Sequence, residues 1–145
     1  MLKLALEHFP PSLILGIIFG LYFEERGLII VALLTGWLID IDHILDYFKA
    51  WKTNAFSKEA LEGISSGKYF LVNSKAYIVL HAWEWIIIWF LGWSIIGRLD
   101  IGLTGATAWA IHLFIDHLSY KLHWYAYFIT YRLLKGFDLR VVCKH

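Results

Sequence analysis

Four apolar stretches set the limits on what this chain can fold into. They run at about 11–23, 28–47, 77–96 and 102–118, with polar breaks between them. A helix that crosses a bilayer needs about 20 mostly apolar residues, with a range of about 17–25. The third stretch meets that length alone, and its pattern predicts a helix over 77–96. The second and fourth meet it only with their polar ends included, so those ends require shielding by protein. The first is short. Pro10 and Pro11 predict its start, because proline is tolerated in the first turn of a helix, and the Glu24–Gly27 run predicts its end. The segment before it carries an acidic residue, a histidine and two prolines, a poor signal peptide. The polar segment of about 49–76 reads as a cytoplasmic loop, with SKEALEGISSGK at 57–68 predicting a short surface helix. After the fourth stretch, HWYAYFITYRLLKGF at 123–137 is too short to span and reads as an interfacial helix. The expected fold is all-α: a polytopic membrane protein of about four transmembrane helices plus a C-terminal interfacial helix. Residues 1–145 form one membrane-embedded helical domain.

Composition supports lipid as the solvent. The chain is 59% hydrophobic and 17% charged, against about 45–50% and 25% in soluble domains, and its mean hydropathy is +0.60. Eight Trp and eight Tyr suit membrane interfaces. A net charge of +1 without a basic stripe argues against a nucleic-acid partner. The single cysteine, Cys143, excludes an internal disulfide and a thiolate metal cluster. Orientation follows from basic residues. With both termini cytoplasmic, eleven Lys and Arg fall inside and only Arg26 and Arg98 outside. The expected location is therefore the cytoplasmic (inner) membrane.

That topology brings the ionisable residues to one face. His8 precedes the first span. Asp40, Asp42, His43 and Asp46 lie late in the second. His81 and Glu84 open the third, His112, Asp116 and His117 close the fourth, and His123 follows. Charges at membrane depth cost several kcal/mol unless paired or metal-bound. Asp42 with Asp46, His43 with Asp46, His81 with Glu84 and His112 with Asp116 sit at i,i+3 or i,i+4, so each pair is expected to share a helical face. Carboxylate–imidazole pairs from several helices build metal sites in bundles. The candidate ligands are His8, Asp42, His43, Asp46, His81, His112, Asp116 and His123, with Asp40 and Glu84 as candidate catalytic groups. Nitrogen and oxygen donors point to a divalent ion, zinc first, with manganese or iron also suited. The Trp83, Trp85, Trp89 and Trp93 group reads as lipid-facing or core packing.

These pieces resemble a known family. His8, then Asp40-Ile41-Asp42-His43, then Leu80-His81-Ala82-Trp83-Glu84, then His112-Leu113-Phe114-Ile115-Asp116-His117 resemble the YdjM-like membrane-bound metal-dependent hydrolases. Ile39 stands where that family often has proline, and the HAWE segment stands where many members carry HRGxTHS. The ligand order of His8, Asp42, His81, His112, Asp116 and His123 is also similar to that of zinc-dependent phospholipase C. The resemblance implies a hydrolase that uses metal-activated water on a phosphoester or lipid headgroup at the cytoplasmic leaflet. The alternatives are a structural or sensing metal site without catalysis, and a proton- or ion-conducting polar cluster. The bilayer is the expected partner, and so small a chain is also compatible with a homodimer.

Overall fold

A computed structural model describes residues 2–51, 57–59, 62, 75, 77–120 and 122–143. Its described helices are α1 (Leu2–Tyr22), α2 (Leu28–Gly36), a 3-10 turn (Leu38–Asp42), α3 (His43–Trp51), α4 (Trp83–Ile95), α5 (Leu99–Ser119), a second 3-10 turn (Trp124–Tyr127), α6 (Ile129–Leu134) and α7 (Leu139–Val142). The fold is all-α. No single described helix is both long and apolar enough to cross a membrane. The pair Leu28–Gly36 and Leu38–Lys49 passes that test only jointly, bent by 41°. The bend falls at Trp37, whose φ of −125° departs from helical values.

Several expected boundaries are corrected. Pro10 and Pro11 do not open α1 but lie inside it, since the helix begins at Leu2. Two adjacent prolines remove two amide donors from the helix interior. The helix over 77–96 starts only at Trp83, and 77–82 is non-helical. The 123–137 helix breaks into a 3-10 turn and α6. It ends in a Schellman motif: Phe137 N bonds to Arg132 O (2.8 Å) and Gly136 N to Leu133 O (3.1 Å), with Gly136 at φ +61°. The surface helix expected at 57–68 lies mostly outside the described residues.

α5 is the centre of the bundle. α2 and α4 pack against it, and α1 packs on both α2 and α5. Small residues permit the close approaches. A Cβ on Gly16 would sit 2.7 Å from the Ile29 backbone, and one on Gly36 would sit 3.1 Å from Ala108 Cβ, so α1, α2 and α5 meet backbone to backbone. The core joins Ile39, Trp109 and Leu113 to Ala126, Tyr127 and Val142 from the C-terminal segment. Trp83, Trp85 and Trp89 pack against it.

Candidate metal centre

Four separate parts of the chain meet at one end of this bundle. α1 delivers His8 from its second turn, and the Ser12 hydroxyl donates to the His8 carbonyl (2.8 Å). The 3-10 turn after α2 delivers Asp40 and Asp42, and His43 opens α3. The non-helical 77–82 segment delivers His81. α5 presents His112 and Asp116 one turn apart on a single face. His8, His81 and His112 are each 1% exposed, and Asp116 is 3% exposed.

The donor atoms converge. His81 Nε2 lies 3.2 Å from His112 Nε2 and 3.2 Å from Asp40 Oδ1. Asp116 Oδ2 lies 3.5 Å from His81 Nε2 and 3.4 Å from His112 Nε2, and Asp40 Oδ1 is 3.5 Å from His112 Nε2. Bonds of about 2.0–2.1 Å in a tetrahedral zinc site place neighbouring donors about 3.3–3.4 Å apart. These five separations, 3.2–3.5 Å, are close to those such a site requires.

The surrounding bonds engage the other ring nitrogen of each histidine. His112 Nδ1 is 2.9 Å from the Gly36 carbonyl. A carbonyl only accepts, so Nδ1 carries the proton. His81 Nδ1 lies 3.2 and 3.3 Å from the two Asp42 oxygens, which accept likewise when ionised. With both Nδ1 atoms so engaged, the two Nε2 atoms face each other across 3.2 Å. A proton on one Nε2 that the other accepts, or a metal ion between them, joins such a pair. Histidine ligands held through Nδ1 by a carbonyl or a carboxylate are the usual arrangement around metals.

The other expected residues divide. His8 Nε2 is 3.1 Å from Asp116 Oδ1, and its ring stacks on His112 with centroids 3.8 Å apart, so it orients Asp116 from behind. His43 Nε2 reaches Asp40 Oδ1 at 3.5 Å. Two adjacent triads with no residue in common, His8 with His112 and Asp116, and Asp40 with His43 and His81, have donor atoms close enough for a metal. Asp42 faces His81 Nδ1 and the Leu80 amide (2.7 Å), on the far side of the ring from the donor quartet. Asp46 accepts from the Tyr77 amide (2.8 Å). Glu84 is not brought in. His81 lies outside the helix, so the two share no helical face. The Glu84 carboxylate instead takes the Ile129 and Thr130 amides (3.1 Å each) at the start of α6. His123 stacks on Tyr125 with centroids 4.7 Å apart, and His117 edges onto Tyr127.

The residues present fit a divalent ion. Asp40 and Asp116 supply two carboxylates to offset its charge, and the Asp40 Oδ2 and His8 Nδ1 atoms are buried without hydrogen-bond partners among the described residues. Burial of such groups without compensation is unfavourable. Compared with known proteins, the chain matches no family profile, no curated protein and no solved structure. Arg132 has no counterpart in the sequence reading, where it counts only as one cytoplasmic cation. It is 3% exposed and donates to the carbonyls of Ile78 and His81. No local spacing signals that role, because its partners lie about fifty positions away.

Proposed function

We propose that this chain is a membrane-embedded, zinc-dependent hydrolase of phosphoesters or lipid headgroups at the cytoplasmic leaflet, related to the YdjM-like hydrolases. The observation that supports the metal is the convergence of His81 and His112 Nε2, 3.2 Å apart with both Nδ1 atoms engaged, on one oxygen each of Asp40 and Asp116. Asp40, His81, His112 and Asp116 would hold the ion. When bound, it supplies Lewis acidity toward a phosphoryl oxygen and lowers the pKa of water. The chain's own residues do the rest. Asp42 and the Gly36 carbonyl hold the two rings in one tautomer, and His8 fixes Asp116. Asp40 is the least buried of the four, with 13% of its side chain exposed. The bilayer setting is supported by large apolar side chains turned outward, among them Ile17 and Leu21 on α1, Ile30 on α2, and Ile88 and Leu91 on α4. Exposed apolar surface on this scale marks contact with lipid or another protein.

Hydrolysis of a panel of phosphoesters and phospholipids in mixed micelles tests the activity. Turnover is expected to stop on chelation, return with zinc, and be lost in His112→Ala. Turnover indifferent to chelator and to His112→Ala would sink the hydrolase. A second reading is favoured by the near-complete burial of the ligands, because structural zinc sites are closed while catalytic ones keep an open position. On that reading the ion ties α5 to the 3-10 turn and the 77–82 segment, and chelation lowers stability with no turnover to lose.

A further inference from the structure

The 77–82 segment is an irregular stretch packed against the bundle, and its carbonyls from Ile78 to His81 lack helical partners. Side chains supply them. The Ile78 carbonyl accepts from Arg132, the Val79 carbonyl from Trp85 Nε1 (2.9 Å), the Leu80 carbonyl from Trp109 Nε1 (3.1 Å), and the His81 carbonyl from Arg132 again. The amides of Tyr77 and Leu80 go to Asp46 and Asp42. Irregular backbone at such depth persists only where protein satisfies its polar groups. Arg132 holds two of the four carbonyls, one of them on His81 itself.

We propose that Arg132 is a positioning residue of the metal centre. Its guanidinium spans Ile78 and His81 and sets where the His81 ring enters the donor cluster. The proposal rests on the metal reading above. The route closes on itself: Glu84, three residues after His81, caps the helix that carries Arg132. The C-terminal segment is thus fastened to both sides of the ligand. A planar guanidinium reaches two carbonyls at fixed geometry, and a lysine ammonium is a single point donor.

The test uses the full-length chain purified in detergent, with zinc affinity measured by competition against a chromophoric chelator. Thermal stability of the metal-free protein is followed in parallel. Arg132→Lys and Arg132→Met are compared with Trp85→Phe, which frees only the Val79 carbonyl. Arg132→Met is expected to weaken zinc about 10–100-fold, the range for outer-sphere partners, and Arg132→Lys to recover part of that loss. The Co2+-loaded visible spectrum is expected to change in both Arg132 variants and to stay as in wild type in Trp85→Phe. If Arg132→Met does not fold, Arg132→Lys and Glu84→Gln carry the comparison, each expected to weaken zinc more than Trp85→Phe. Wild-type affinity and an unchanged Co2+ spectrum in folded Arg132 variants would overturn the proposal while leaving the metal centre standing. A wild-type chain that binds no zinc would overturn both.

Discussion

Replacing Asp116 with asparagine is expected to remove metal binding while leaving the metal-free fold intact. Asp116 touches three rings. One oxygen is 3.1 Å from His8, and the other is 3.4–3.5 Å from His112 and His81. Asparagine keeps the shape and loses the charge. Its amide nitrogen is a donor, and turned toward His81 and His112 it can hydrogen-bond a ring nitrogen that carries no proton. The metal-free variant is therefore expected to melt no lower than the metal-free wild type. Affinity for zinc is expected to fall by more than the roughly 10–100-fold seen for outer-sphere changes, because a ligand itself is lost. Calorimetric titration alongside a melting curve checks both halves. A variant that binds zinc like wild type would remove Asp116 from the ligand set.

Chelation of the loaded wild type is expected to destabilise it strongly. An ion present at about 1,000 times its dissociation constant contributes about 4 kcal/mol to the folded state. For a chain of this length that corresponds to a fall in melting temperature of about 10 °C. The physical reason is local. Without the ion, the largely buried carboxylates of Asp40 and Asp116 lose the divalent charge that offsets them, in a space that water scarcely reaches. The loss should be absent in Asp116→Asn, which has no ion to lose. Equal melting of wild type with and without chelator would contradict the claim that a metal organises this end of the bundle.

The centre was legible in the sequence wherever its geometry is local. His112 and Asp116 are one helical turn apart, and Asp40-Ile41-Asp42-His43 is a continuous run, so their convergence follows from helix period and from the gathering of ionisable residues at one end. What spacing could not show is the conformation of 77–82. An apolar run reads as helix, and here side chains from Asp42, Asp46, Trp85, Trp109 and Arg132 take the backbone groups that helix formation would have paired. The i,i+3 relation of His81 and Glu84 therefore had no structural meaning, and Glu84 became a helix cap. Pro10 and Pro11 misplaced the start of α1 for a related reason: tertiary packing of α1 against α2 and α5 carries the helix through a pair of residues that local preference would put at its end. The roles of Asp40 and Asp42 were separable only in three dimensions, one pointing to the Nε2 side of His81 and the other to Nδ1.

The central claim is that His81, His112, Asp40 and Asp116 hold a metal ion. The most direct measurement is the metal content of the detergent-purified chain, wild type beside a His112→Ala, Asp116→Ala double variant. At least one equivalent of divalent metal in the wild type and none in the variant is the expected result. No metal in either, even after reconstitution with zinc, would contradict it and leave the cluster as a network of histidines and aspartates sharing protons.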